Sequence, residues 1–381
     1  MPLPFDPSSP SRRLCSTLGW GLAFALLAGC AGKEERREEV PKRPEEIRAQ
    51  IAGLMPAATP DRQGWAADIY GAMKALDIPP NLPNICAVLA VAEQESTFRA
   101  DPVVPGLSRI AREEIDRRAE RLGVPKFAVR AALSLNSSAG KSYGERIDTV
   151  RTERELSEIF EDFIGLVPLG KRLFAGWNPV RTGGPMQVGI AFAERHAKEK
   201  PYPYPVAESI RHEVFTRRGG LYFGIAHLLD YPAAYDRHLY RFADFNAGRY
   251  ASRNAAFQNA VAIASGVALD LDGDLVLPGE DAVKPGSTEL AVRSLSKRLE
   301  MGNGAIRRAL EQGESADFER TVLYRRVFEL ADQAERRPVP RAVLPRIQLQ
   351  SPKITRKLTT EWFANRVDER HRRCLAKGAA A

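Results

Sequence analysis

The 381 residues contain no glycine-rich phosphate loop, no Ser/His/Asp set, no clustered metal ligands and no periodic repeat. Walker-type nucleotide chemistry, triad nucleophiles, metal catalysis and solenoid architectures therefore have no carrier in the chain, and neither cofactor nor metal is expected. Cysteine is scarce, with four in all, and glycine and proline are at ordinary levels. What is abundant is apolar surface: 44% hydrophobic residues can build the core of one large or two modest globular domains.

No apolar run is long enough to span a bilayer as a stable anchor; the run Leu18 to Leu27 is too short. Arg12 and Arg13 precede it and Leu27-Ala28-Gly29-Cys30 closes it, the layout of a secretory signal. That closing tetrad resembles the bacterial lipobox, which implies lipidation of Cys30 as the mature N-terminus. By the same resemblance, Ala31 in place of an aspartate favours the outer membrane. The mixed-charge run Lys33 to Glu39, followed by Pro41 and Pro44, has no apolar face and reads as a solvated tether. Loss of Asp6, Arg12 and Arg13 with the leader lowers the formal charge of +8 by one. A moderately basic exported protein suits an acidic polymer such as the cell wall, and nucleic acid is not expected there. Cys15 leaves with the leader, so Cys86 and Cys374 are left either to pair in an oxidising compartment or, since Cys86 lies in an apolar stretch, to stay as buried thiols.

The most informative stretch is Ile85-Cys86-Ala87-Val88-Leu89-Ala90-Val91-Ala92-Glu93-Gln94-Glu95-Ser96-Thr97-Phe98. Small and apolar residues in an unbroken row after Pro83 predict a helix buried on all sides, with Asn84 as its cap. Glu95 falls on a stripe with Ala92, Val91 and Val88, at the helix end where the macrodipole disfavours negative charge. Both effects raise a carboxyl pKa, as a general acid requires. The competing reading makes Glu93 and Glu95 a solvated helix end.

Upstream, Ile47, Ile51 and Leu54, then Trp65, Ile69, Met73 and Leu76, have helical spacing and read as scaffold. Residues 107 to 165 predict two or three amphipathic helices broken at Gly123-Val124-Pro125 and Asn136 to Gly140. Thr182-Gly183-Gly184-Pro185-Met186-Gln187-Val188-Gly189 predicts a tight turn that can approach a neighbour closely. Arg218 to Leu229 predicts an apolar helix with small residues for close packing, on which His227 is a packed residue rather than a ligand. Tyr240 to Gly248 predicts a further helix ending on Asn246. Asp270-Leu271-Asp272-Gly273-Asp274 resembles a calcium loop, but Leu275 replaces the glycine needed at the sixth position and Asp281 the final glutamate, so a plain surface turn is expected. Proline-interrupted helices follow from Ser287, the last over about 354 to 375.

Taken in order, three stretches resemble the lytic transglycosylases of the lysozyme-like, soluble transglycosylase superfamily. Glu95-Ser96-Thr97-Phe98 is similar to that family's Glu-Ser-x-Phe, Gly184-Pro185-Met186-Gln187-Val188 to its Gly-Leu-Met-Gln block, and Phe245-Asn246-Ala247-Gly248 to its Tyr-Asn-Ala-Gly. The resemblance covers roughly residues 80 to 100 and 180 to 260. It implies a mainly α fold: a lysozyme-like helical domain over 46–284 with a helical insertion at about 107–176, after a leader 1–29 and a tether 30–45, and before a C-terminal helical extension 285–381. The whole chain also resembles a family of uncharacterised proteobacterial lipoproteins.

Glycosidic cleavage ordinarily needs an acid and a second carboxylate. The resemblance implies that one suffices here: the C6 hydroxyl of the muramic acid attacks, Glu95 is the catalytic acid/base, and a 1,6-anhydro sugar results. Ser96, Gln187, Phe245 and Asn246 would bind substrate with Met186 lining the cleft, and peptidoglycan would be the partner. Phe245 departs from the family in lacking the tyrosine hydroxyl, for which Tyr222, Tyr250 and Asp244 are candidate substitutes. Three alternatives stay open: a catalytically silent peptidoglycan-binding module, a muramidase using Asp244 as second carboxylate, and a structural lipoprotein.

Overall fold

The computed structural model describes residues 42–166, 168–169, 172, 174–277, 284–349 and 357–380. The leader expected at 1–29, Cys30 and the tether as far as residue 41 lie outside the described residues. The first helix, α1, begins at Pro44, within the stretch expected to be tether. Helices α1 (Pro44–Leu54), α2 (Arg62–Ala75) and α3 (Leu82–Ser96) are followed by α4 (Leu107–Arg121), α5 (Lys126–Leu133), α6 (Tyr143–Thr149) and α7 (Glu153–Gly165). A hairpin, β1 (Thr182–Gly183) with β2 (Val188–Gly189), then leads into α8 (Ile190–Glu199), α9 (Ile210–Val214), α10 (Arg217–Leu229), α11 (His238–Ala247) and α12 (Ala251–Ser265). The remainder is α13 (Ser287–Ser294), α14 (Ser296–Leu299), α15 (Asn303–Leu310), α16 (Val322–Glu335), the strands β3 (Gln348–Leu349) and β4 (Leu358–Thr359), and α17 (Thr360–Ala379). The fold is mainly helical; both strand pairs are antiparallel, joining Thr182 to Gly189 and Gln348 to Thr359. No described helix is long and apolar enough to cross a membrane.

The first core forms around α3. Every residue from Ile85 to Ala92 is buried, as an uninterrupted apolar helix requires. Its cap is Asn81 rather than Asn84: the Asn81 side chain accepts from the Asn84 amide at 2.9 Å, and Asn84 Nδ2 instead donates to the Pro79 carbonyl at 2.9 Å. Pro83 sits in the first turn, where its missing N–H costs nothing. Ile51 of α1, Trp65 and Ile69 of α2, Phe223 of α10 and Phe242 of α11 complete this core together with Phe363 and Val367 of α17.

The final helix is therefore no extension. It packs along α3 and α11, its His371 Nε2 lies 3.1 Å from the Pro83 carbonyl, and Cys374 forms a disulfide with Cys86. Of the two readings open for these cysteines, the paired one holds. A boundary at residue 284 also cuts through a second core, because Phe257 and Ala260 of α12 pack with Val292, Leu310, Leu323 and Phe328 of α13 to α16. Within that core Glu289 is fully buried between Arg293 (2.5 Å) and Arg307 (2.7 Å). The acidic turn at 270–274 is not a plain surface feature either. Gly273, at φ 88°, packs on Ala251, and Gln258 of α12 accepts from the Gly273 amide while donating to Asp272. Asp281 lies outside the described residues.

Residues 107 to 165 form four helices with a small core of their own, built on Leu107, Ala111, Tyr143, Ile147 and Ile159. The glycine turn at 123 and the Asn136–Ser142 bridge separate them where the sequence breaks predict.

Candidate functional site

Glu95 stands half-buried in the last turn of α3, above Val88, Val91 and Ala92, which are wholly enclosed. The helix stops because Thr97 and Phe98 both adopt left-handed backbone, at φ 52° and 56°, a conformation that is a genuine outlier for a β-branched residue. Four interactions hold it there. The Thr97 amide donates to the Glu93 carbonyl at 3.1 Å, and the buried Phe98 ring meets Trp65 edge-on at 5.5 Å. Ser96 Oγ donates to the Ala92 carbonyl at 3.0 Å and accepts from the Arg99 amide at 3.2 Å. Ser96, expected to bind substrate, is thus buried and committed to closing the helix. Glu93, two residues before Glu95, pairs with Arg370 and Arg373 of α17 at 3.5 and 3.6 Å.

The Gly-Pro-Met-Gln block is the turn between β1 and β2. The Gln187 amide donates to the Gly184 carbonyl at 3.1 Å, with Gly184 and Gln187 both left-handed at φ 73° and 51°. Glycines on α10 let this turn settle: a Cβ on Gly220 would overlap Pro185 Cδ, and one on Gly224 would lie 2.6 Å from Met186 Cβ. Met186 is fully buried against that helix, so it fills core and does not line a cleft. Gln187 remains half-buried, its Nε2 donating to the Gly184 carbonyl and its Oε1 accepting from Thr182 Oγ1, both at 3.3 Å. Replacing Gly224 with alanine should lower stability by about 1–3 kcal/mol through overpacking against Met186. A chemical denaturation midpoint will show it, while Gly53→Ala, where nothing lies within 4 Å in α1, leaves the midpoint unchanged or raises it.

The third block closes α11. Phe245 packs its ring on His227 at 5.1 Å, and His227 meets Phe192 at 4.6 Å. Burial, followed by the Arg249 charge, pushes the His227 pKa down to about 4, which fits a neutral, packed histidine. Asn246 is exposed, and its Oδ1 accepts from Thr360 Oγ1 at 3.0 Å, tying α11 to the first turn of α17. The helix stops at Gly248, whose amide donates to the Asp244 carbonyl at 2.8 Å.

Asp244, the candidate second carboxylate, is enclosed by donors. It is fully buried, and it accepts from the Tyr231 and Tyr235 hydroxyls (3.0 and 2.7 Å) and the Tyr250 and Ser252 amides (3.0 and 2.7 Å). The last two lie at the start of α12, where the helix dipole favours an anion. Even so, burial raises its pKa above the ordinary carboxylate value. Tyr222 and Tyr250 are likewise enclosed, the first among Tyr202 and Phe223 and the second under Arg253, 4.2 Å from its ring.

All three blocks thus rest on the same core: Val91 and Ala92 beneath Glu95, Met186 and Val188 on either side of Gln187, and Phe242 and Ala243 before Phe245 and Asn246. Sequence reasoning missed Arg370, Arg373 and Thr360, because they reach these blocks from the far end of the chain. A model of a family described as a protein of unknown function, DUF1615, matches residues 58–377. The chain belongs to the DUF1615 family. It is similar to the uncharacterized protein YaiW of Escherichia coli strain K12, at 54% identity over 354 residues, covering 93% of this chain and 96% of that protein. No solved structure matches. The span that matches DUF1615 takes in α2 through most of α17, and hence the three blocks, the 107–165 helices and both cores.

Proposed function

We propose that this chain is a lipid-anchored, lysozyme-like protein of the cell envelope, held by Cys30 in the outer membrane and facing the periplasm, that cleaves peptidoglycan glycan strands by lytic transglycosylation. The observation carrying this reading is that one core bears all three transglycosylase-like blocks, in their order, with Glu95 at the end of its central helix. Glu95 protonates the glycosidic oxygen, then accepts the proton of the C6 hydroxyl as that oxygen closes the anhydro ring. Gln187 and Asn246 orient the sugar, exchanging their bonds to Thr182 and Thr360 for bonds to the N-acetyl groups. The enclosure of Asp244 by four donors favours this single-carboxylate route over a hydrolytic muramidase.

A second reading, a silent module that holds the glycan without cutting it, is favoured by Phe245, which offers no hydroxyl where the transglycosylases carry tyrosine. Incubating the purified protein with sacculi and weighing the products separates the two. Transglycosylation gives anhydro ends, and Glu95→Gln should slow their release by about 10²–10⁴-fold. Reducing ends would mean hydrolysis, sedimentation with sacculi without products the silent module, and full activity in Glu95→Gln would remove Glu95 from the chemistry. Neither binding nor products would overturn the proposal.

A further inference from the structure

One apolar cavity belongs to no transglycosylase-like block. It lies among α4, α5, α6 and α7 and the segment 179–182 that leads into β1, with a volume of about 570 Å³, within the ~300–1,000 Å³ of small-molecule sites. Aliphatic side chains such as Ile110, Ile115, Val129 and Leu156 make most of its wall. One wall is unusual. Helix α5 has no buried residue, although Ala128, Val129, Ala132 and Leu133, at helical spacing on one face, all line the cavity. An amphipathic face normally rests on core; here Leu133 packs against the small core of these helices, while Ala128, Val129 and Ala132 face the cavity.

Charge is confined to a few lining positions. Arg117 and Arg118 both pair with Glu114, and Arg118 also donates to the Trp177 carbonyl at 2.6 Å. Arg181 is exposed, lines the cavity one residue before β1, and makes no side-chain hydrogen bond or ion pair among the described residues. Three guanidiniums against Glu114 and Glu153 leave a cationic balance beside a hydrocarbon-like interior.

We propose that this cavity binds an anionic single-chain amphiphile, its hydrocarbon chain lying between α5 and α4 to α7 and its carboxylate or phosphate meeting Arg181. Glycan cleavage plays no part in the argument, so the site stands or falls independently of that reading.

Trp177 supplies the readout. Protein carrying Cys30→Ser, which excludes an acyl group attached in cis, is titrated with dibromostearate, palmitate, lysophosphatidylglycerol and uncharged dodecyl maltoside. Dibromostearate should quench Trp177 emission saturably, the quench should vanish in Trp177→Phe, and palmitate should reverse it. Ala132→Phe, which fills the cavity from a helix without buried residues, should weaken binding at least tenfold, with Ala128→Phe as a second filling variant and circular dichroism as the check on folding. Arg181→Glu should weaken the two anionic ligands and leave dodecyl maltoside unchanged; whichever anion loses more identifies the headgroup. Unsaturable quenching, equal affinity in both filling variants, or indifference to Arg181→Glu overturns the proposal. So does binding to phosphatidylglycerol vesicles that Ala132→Phe leaves intact, because it would assign the exposed Leu122, Val124 and Phe127 to a bilayer instead.

Discussion

Replacing Cys86 and Cys374 together with alanine should cost the protein about 5 kcal/mol, the loop-closure entropy that a crosslink across several hundred residues removes from the unfolded chain. The bridge joins residues separated by 288 positions, and it ties the central helix α3 to α17 in the middle of the first core. The second core, built on α12 to α16, lies inside the crosslinked loop but does not include either cysteine. The double variant should therefore lower the urea midpoint of the transition reported by Trp65 and Trp362, both associated with the first core, far more than any transition confined to 256–339. Fluorescence at the two cores' aromatic residues follows the two processes separately. A midpoint that stays within experimental error of the disulfide-bonded protein would show that packing of α17 alone carries the contact.

The contrast between these two cores marks what the sequence could disclose. Helix α3 was legible because its signal is local: an unbroken apolar run, a proline in the first turn, polar residues at the end. The glycines of α10 were legible as a close-packing surface, though not the identity of what packs there, since Met186 lies more than thirty residues upstream of Gly224. Reading Met186 as a cleft residue followed from the resemblance of its block; only the glycine opposite it shows that the thioether fills a gap in the core. Asn81 against Asn84 was a difference of one turn that local preference alone does not decide. The role of α17 was legible only through the open pairing of Cys374 with Cys86. Its mixed-charge sequence carries Phe363, Ala364 and Val367 on one narrow face, a pattern that says a face is buried but not against which helix. Asp244 misled for the opposite reason: a carboxylate next to a recognisable block invites a chemical role, and the four donors that claim it come from residues 231, 235, 250 and 252.

Acid should unfold this protein over the range in which histidine titrates. His227 and His238 have their pKa values pushed down to about 4, in both cases first by burial. Arg249 adds to the effect at His227; at His238 the neighbouring His371, 4.9 Å away ring to ring, and Arg241 do so against the opposing charge of Asp368. His196 and His371 are lowered as well, again chiefly by burial. A histidine depressed in the folded state binds its proton more readily when unfolded, at its ordinary value near 6.5. Its contribution to stability is thus complete above about pH 6.5 and is lost as pH falls towards 4. At pH 5 the loss relative to pH 7 is about 2 kcal/mol for each of His227 and His238, or about 4 kcal/mol together. Asp244 works in the opposite sense: its raised pKa makes the fold bind a proton more readily than the unfolded chain, so between its raised folded value and 3.8 it regains stability as pH falls and offsets part of the loss from the four histidines. Denaturant midpoints at pH 7.5, 6 and 5 should therefore fall steadily, and His227→Phe, whose ring can occupy the space between Phe192 and Phe245, should remove close to half of the fall from the two strongly shifted histidines. A flat profile between pH 7.5 and 5 would mean that these imidazoles reach solvent in the folded protein, and the packing of Phe245 on His227 would then have to be looser than the geometry of the site allows.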